Sequence, residues 1–115
     1  MNFYRWDCIE EEQLNPLLGR RVIHARNITV AKLRLRKSVV VPTHNHINEQ
    51  ITLLESGVLR FIIEGEEKIA RSGDVIQIPA NAAHMVEALE DSVAIDLFSP
   101  VREDWIRGED SYLRK

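Results

Sequence analysis

The sequence predicts a single all-β domain. About nine short apolar runs, separated by turn residues, follow one another at close and even spacing. No convincing long helix occurs before residue 99. This combination is typical of an antiparallel sandwich or a small barrel. The chain has 115 residues, which is enough for one domain with a single core.

The strand candidates begin after residues 1–19, which we expect to be irregular because Asn15-Pro16 and Gly19 are turn signals. In chain order the candidates cover residues 22–24, 28–36, 39–41, 51–54, 58–63, 68–70, 75–78, 85–89 and 93–98. We therefore expect a core barrel over about residues 20–99. The polar tail, residues 100–115, should pack against the outside of the barrel or against a partner chain.

Composition and charge narrow the class of protein. Hydrophobic residues make up 44% of the chain and charged residues 29%, as in ordinary globular proteins. The net charge of -3 argues against nucleic-acid binding, which needs a basic face to neutralise phosphates. Cys8 is the single cysteine, so an intrachain disulfide is impossible. We see no secretory signal and no membrane-spanning apolar stretch, and we expect a cytoplasmic protein that binds no membrane.

Three of the four histidines and one glutamine form the most informative pattern. His44, His46 and Gln50 lie in one short stretch, and on a β-strand these positions would all point to the same face. His84 would meet them from a neighbouring strand. Imidazole is the commonest protein ligand for metals. We therefore predict that these four side chains hold one divalent metal ion that keeps open positions for a substrate.

With these residues in view, the chain resembles the cupin superfamily. The first cupin motif reads G-x5-H-x-H-x3,4-E-x6-G. His44, His46 and Gln50 fall on its histidine and acidic positions, and Gly57 falls on its closing glycine. Ser38 replaces the opening glycine.

The second cupin motif reads G-x5-P-x-G-x2-H-x3-N. Gly73, Pro79 and His84 match it, whereas Asn81 replaces the second glycine and Ala88 the final asparagine. Asparagine tolerates positive φ better than most residues after glycine, so the turn after Pro79 can be kept. The two motifs imply a double-stranded β-helix, or jelly-roll barrel.

Glutamine at position 50, where the motif has glutamate, directs the expected chemistry. A neutral amide leaves the full double positive charge on a divalent metal, which favours Lewis-acid work. Carboxylate ligands are common in iron sites that activate oxygen, so the glutamine at position 50 argues against oxygenase chemistry. The sequence does not determine which metal binds, because nickel, zinc, iron, manganese and cobalt all take imidazole and oxygen ligands.

A narrower resemblance lies at the C-terminal end. Residues 96–105 resemble the D-x-F-x-P-x-R-E-D segment of the KdgF-type cupins, which have a three-histidine, one-glutamine metal site. Those cupins convert the 4,5-unsaturated uronates left by pectin and alginate lyases into linear keto-uronates. The resemblance implies that Asp96 is a general acid or base, that Arg102 binds the sugar carboxylate and that Phe98 packs against the sugar. Small cupins usually dimerise, so it also implies a homodimer.

Other interpretations stay open. Asp96 could cap a turn or pair with Arg102, Arg102 could form a surface ion pair with a neighbouring carboxylate, and Phe98 could be ordinary core. His24 matches no motif and fits a surface or core-edge position better than a ligand. The competing functions are a metal-dependent oxygenase or isomerase acting on another small molecule, and a small-molecule-binding cupin without turnover, because fold does not settle function.

Overall fold

The computed structural model describes residues 1–115 and contains ten β-strands. The strands are β1 (Glu12–Asn15), β2 (Leu18–His24), β3 (Thr29–Leu35), β4 (Val40–His44), β5 (Glu49–Ser56), β6 (Val58–Ile63), β7 (Glu66–Arg71), β8 (Val75–Ile78), β9 (His84–Ala88) and β10 (Ser92–Ser99). One short helix, α1 (Glu103–Ile106), follows the last strand, and 3-10 helices lie at Trp6–Cys8 and Ser111–Leu113. None of these helices has the length and apolar character needed to cross a membrane.

The strands form two antiparallel sheets. The larger sheet has six strands in the order β1-β2-β3-β10-β5-β8, and the smaller has four in the order β4-β9-β6-β7. Between β3 and β5 the chain passes to the small sheet for one strand, β4, and then returns to the large one. The two sheets share one hydrophobic core. The predicted all-β jelly-roll fold is therefore confirmed.

Alternate side chains of each strand point into this core. On β10, Asp96 and Phe98 are buried, whereas the residues on either side of Asp96 are only partly buried. β5 shows the same alternation with Gln50 and Thr52. The register places Gln50 opposite Phe98 and Thr52 opposite Asp96. The inward face of the large sheet thus carries a small group of polar side chains next to one another.

The N-terminal region is more regular than the sequence predicted. β1 and the start of β2 form a hairpin within residues 1–19, which we expected to be irregular. The turn between them is stabilised by the Asn15 side chain, whose Oδ1 accepts the backbone N–H of Leu17 at 2.8 Å. Leu14 and Leu18 are buried on either side of it. Two isolated apolar residues are too few to show a period, which is why the pattern gave no strand signal here.

The C-terminal tail joins the core rather than the outer surface. Trp105 is buried and packs edge-to-face on Phe98, with 5.0 Å between ring centroids. Leu113 is buried as well, and Asp110 forms a buried ion pair with Arg20 at 2.9 Å. The expectation that residues 100–115 pack on the outside of the barrel is therefore wrong. The tail instead covers apolar surface, including Phe98, that the two sheets alone would leave exposed to water.

Backbone conformation explains the glycine positions of the cupin motifs. Ser38 and Asn81, which replace motif glycines, have φ values of 83° and 65°. The expectation that Asn81 keeps the conformation of a glycine is confirmed. Gly57 has a φ of +94°, and a Cβ atom there would lie 2.1 Å from Ser92 Oγ and 2.5 Å from the carbonyl oxygen of Asp91. Both the backbone and the approach to β10 therefore require glycine at position 57.

Replacing Gly57 by alanine should destabilise the fold much more than replacing Gly65. Both glycines have positive φ, but a Cβ on Gly65 would meet nothing within 4 Å. The left-handed backbone costs roughly 1–2 kcal/mol in either variant. The clash adds roughly 1–3 kcal/mol for Gly57→Ala alone. Urea denaturation measures both losses, and equal losses for the two variants would contradict this account.

Candidate metal centre

Three histidines converge at one side of the core. His44 ends β4 and is the Cα partner of His84, the first residue of β9. His46 lies in the loop that leads to β5. The three side chains each offer a ring nitrogen, and these atoms lie within 4.8 Å of one another. The structure thus brings together the histidines that the sequence singled out, although His46 approaches from a loop and not from a continuous strand, because the chain changes sheets there.

Each ring is oriented by the main chain. In all three, Nδ1 donates to a backbone carbonyl two residues away, and the pairs are His44–Pro42 (2.7 Å), His46–Asn48 (3.0 Å) and His84–Ala82 (2.8 Å). A carbonyl oxygen can only accept, so Nδ1 carries the proton and Nε2 keeps its lone pair. Hydrogen bonds of this kind fix the tautomer and orientation of metal-binding histidines.

Gln50 supplies a fourth donor atom. Its side chain is buried, and Oε1 lies 3.1 Å from Nε2 of His46. With the proton of His46 on Nδ1, both facing atoms carry lone pairs and no hydrogen lies between them. A cation shared by the two atoms removes this conflict. Three imidazoles and an amide oxygen are a donor set that suits a divalent transition metal.

Burial keeps the imidazoles neutral. It lowers the pKa of His44 and of His46 to about 4, and it lowers the pKa of His84 as well. The positive charge of Arg102 contributes in the same direction for all three rings. At neutral pH the rings are therefore uncharged, which is the form that binds metal ions.

Asp96 lies beside this cluster on the inward face of β10. Its carboxylate accepts a 2.6 Å hydrogen bond from the hydroxyl of Thr52. Burial raises the pKa of Asp96 to about 6, well above its usual range. A carboxyl group with a pKa near neutrality can both take and give a proton. Phe98, on the same face, packs edge-to-face with His46 at 5.6 Å between ring centroids.

Arg102 is one of the most buried side chains, with 1% of its surface exposed. Its Nε and Nη2 donate to the two carboxylate oxygens of Asp104 at 3.0 and 2.8 Å, and Nη2 also donates to the Tyr112 hydroxyl at 2.8 Å. The guanidinium lies over the rings of Phe98 and Trp105, 4.6 and 4.2 Å from their centroids. The ion pair that the sequence left open is present, but the arginine that forms it is buried.

Comparison with known proteins settles the family. Residues 33–98, more than half of the chain, match the Cupin domain family. The chain belongs to the cupin family. The matched range contains the three clustered histidines, Gln50 and Asp96. A three-histidine cluster in a cupin supports a bound metal ion.

Two relatives of this cupin are KdgF proteins. It is 33% identical over 98 residues to the pectin degradation protein KdgF of Dickeya dadantii, covering 83% of this chain and 89% of that protein. It matches the structure of KdgF from Halomonas sp. with a TM-score of 0.84 and 29% identity, covering 90% of this chain and 99% of that one. An RmlC-like cupin from Shewanella frigidimarina shares the fold, with a TM-score of 0.86, 24% identity, and coverage of 91% and 96%. The resemblance to KdgF-type cupins is confirmed.

The cavity of this cupin has a mostly apolar wall, and Asp96 is the only carboxylate that lines it. Two further polar residues of the wall, Thr52 and Tyr112, were not singled out by the sequence. Thr52 lies two residues after Gln50, so the alternation of the strand could have found it. Tyr112 packs on His44 at 4.5 Å between ring centroids, but it belongs to a tail without any periodic pattern.

The metal-free protein should lose stability as the pH falls from 6.5 to about 4 because of His44 and His46. Over this interval the unfolded imidazoles bind protons that the folded ones do not, so the free energy of unfolding decreases. Asp96 contributes with the opposite sign, because its folded pKa is raised. The test is therefore the difference between the native chain and His44→Asn in urea denaturation at several pH values. The variant should show a shallower fall, and identical slopes would show that His44 is not held neutral by burial.

The metal-free protein should bind one equivalent of nickel or cobalt. His46→Ala should weaken that binding by at least the roughly 10- to 100-fold that follows loss of an outer-shell partner, because it removes a ligand itself. His24→Ala is the matched control, since His24 lies apart on β2 with its Nδ1 2.8 Å from Thr29 Oγ1. Equilibrium dialysis with metal analysis measures both. Equal metal affinity of the two variants would contradict the assignment of His46 as a metal ligand.

Proposed function

We propose that this cupin is a metal-dependent enzyme that converts 4,5-unsaturated uronates into linear keto-uronates in the breakdown of pectin or alginate. One relative is named a pectin degradation protein, which supports the substrate class. The observation that carries the proposal is one arrangement within the site. A single buried carboxyl group with a raised pKa, Asp96, shares its cavity with His44 and His84 of the histidine cluster and with a buried arginine, Arg102.

The reaction is an isomerisation in which a proton must move. Opening the ring removes the proton of the anomeric hydroxyl and breaks the bond between C1 and the ring oxygen, which leaves an aldehyde at C1 and an enolate at C5. The enolate becomes a ketone when C4 gains the proton that was removed. No atom is gained or lost, so one carboxyl group that first accepts and then donates a proton is sufficient. Asp96, with a pKa of about 6, suits that role.

Four side chains would hold the metal: His44, His46, His84 and Gln50. When bound, a divalent ion supplies Lewis-acid stabilisation of negative charge on the oxygens of the sugar. Gln50 is uncharged and therefore leaves the double positive charge of the ion intact. The donor set suits nickel, zinc, iron, manganese and cobalt alike.

Arg102 and Phe98 would position the sugar acid. The Nε and Nη2 groups of Arg102 are engaged by Asp104 and Tyr112, so Nη1 is the nitrogen left to donate to a substrate carboxylate. Donation from this single nitrogen fixes the carboxylate less firmly than the two parallel hydrogen bonds that two nitrogens of a free guanidinium group would give. Asp104 in turn holds the guanidinium in place, which reduces the freedom lost when a substrate binds. Phe98 offers an apolar ring beside His46.

Asp96→Asn should lower turnover of 4,5-unsaturated galacturonate by roughly 10²- to 10⁴-fold, because an amide cannot exchange the proton. Turnover is measured as loss of the ultraviolet absorbance of the unsaturated sugar, with metal-loaded protein. Asp7→Asn is the control, since Asp7 is exposed and lies in the N-terminal 3-10 helix. Metal content is measured for both variants. Full turnover by Asp96→Asn at normal metal content would rule out the assigned role.

Two further assays on the native protein distinguish the competing functions. Oxygen consumption with candidate substrates would indicate an oxygenase, and tight binding of a sugar acid without conversion would indicate a binding module. Both outcomes require that the native chain leave the unsaturated uronate unchanged. The homodimer and the cytoplasmic location that the resemblance implies stay predictions.

A further inference from the structure

Thr52 connects Gln50 to Asp96 through its hydroxyl group. The Thr52 hydroxyl donates to Oδ1 of Asp96 at 2.6 Å, and its oxygen accepts from Nε2 of Gln50 at 3.0 Å. The other end of the Gln50 amide, Oε1, faces Nε2 of His46 at 3.1 Å. Thr52 is buried, with 2% of its surface exposed, so water does not compete for these bonds.

The direction of these bonds is fixed from the Asp96 end. The Asp96 oxygen in this contact is an acceptor, and a hydroxyl group has only one proton to give. Once Thr52 gives that proton to Asp96, its oxygen can only accept from its other neighbour. Gln50 must therefore turn its amide nitrogen toward Thr52, and its carbonyl oxygen must point at the histidines.

Without Thr52, hydrogen bonding to His46 would favour the reversed orientation of the Gln50 amide. Nε2 of His46 is an acceptor, because the proton of that ring is bound to Nδ1 and given to the Asn48 carbonyl. A reversed Gln50 would donate an N–H group to His46 Nε2 and satisfy both atoms. That orientation would direct an N–H group at the position where a cation needs a lone pair.

We propose that Thr52 is a positioning residue that holds the Gln50 amide with its oxygen toward the metal centre. The same bond explains why position 50 carries an amide. A glutamate there would place carboxylates at both ends of one hydroxyl group that has a single proton, and one of them would stay unpaired in a buried site. Asp96 thus determines the orientation and the chemical type of the Gln50 side chain through the Thr52 hydroxyl, and the Gln50 amide itself lies close enough to lower the pKa of Asp96. The proposal rests on the metal centre of the proposed function and is independent of its substrate.

Cobalt binding to the metal-free protein tests the proposal. Thr52→Val keeps the shape of the side chain and removes the hydroxyl, and it should weaken cobalt binding by roughly 10- to 100-fold. Thr52→Ser keeps the hydroxyl and should bind cobalt nearly as well as the native chain. Competition with a chromophoric chelator gives the affinities, and near-ultraviolet circular dichroism shows that each variant is folded.

A second pair of variants distinguishes positioning from a general structural effect. In a Gln50→Ala background there is no amide to orient, so adding Thr52→Val should cause no further loss of cobalt affinity. An additional loss of the same size in that background would overturn the proposal, as would native affinity in Thr52→Val alone. If the native chain binds no cobalt, the metal centre and this proposal fail together. If it binds cobalt but converts no uronate, only the proposed reaction fails.

A measurement on the native chain does not depend on any variant folding. Nuclear Overhauser effects in the metal-free protein should connect the side-chain amide protons of Gln50 to Thr52. Contacts of those protons with the His46 ring in place of Thr52 would show the reversed amide and would overturn the proposal.

Discussion

The site depends on the burial of polar side chains on the inward face of a largely apolar barrel. Gln50, Thr52 and Asp96 occupy inward positions on two paired strands, where each polar group needs a partner within the protein. Thr52 pairs with the Gln50 amide nitrogen and with one oxygen of Asp96, and main-chain carbonyls pair with Nδ1 of each histidine ring. The same burial lowers the pKa values of the histidines and raises that of Asp96. The same physical cause therefore leaves free lone pairs on the ring nitrogens, as the proposed metal site requires, and gives Asp96 a pKa that suits the proposed proton transfer.

The C-terminal tail completes the site, although it lies beyond the last strand. The guanidinium groups of Arg20 and Arg102 lie 4.5 and 4.2 Å from the centroid of the Trp105 ring. Cation–π contacts from one arginine of the barrel and one of the tail therefore hold Trp105 in place. The backbone N–H of Arg102 donates to Thr29 Oγ1 at 2.9 Å, which fixes the start of the tail against β3. The buried pair of Arg20 and Asp110 fixes its later part. The position of Arg102 in the cavity is thus set by tertiary contacts.

The sequence predicted the features that repeat at short range or match a spaced motif. The all-β fold followed from alternating apolar runs, and the positive φ of Asn81 followed from its place in a motif turn. The clustering of His44 and His84 requires only that β4 and β9 be neighbours. β1, the inward packing of the tail and the loop position of His46 could not be predicted, because each depends on contacts between distant parts of the chain. The alternation of side chains on β5 places Thr52 on the same face as Gln50, which could have pointed to it. A single threonine on a strand, however, usually has no functional role.

The charges around the cavity fit the proton transfer of the proposed function better than they fit oxygen activation. The ligand set predicted for the metal contains only neutral groups, and the charge of Arg102 is balanced by Asp104. Asp96 is then the one carboxylate of the cavity wall, and it interacts with Gln50 through the Thr52 hydroxyl. A carboxylate ligand at position 50 would lower the net charge of a bound cation and would compete with Asp96 for that hydroxyl proton. Under the proposed function, glutamine at this position leaves the cation its full charge for the oxygens of a substrate, and Asp96 is free to exchange a proton. An isomerisation of a sugar acid needs both of these properties, whereas oxygen activation at iron commonly uses the carboxylate ligand that this site lacks.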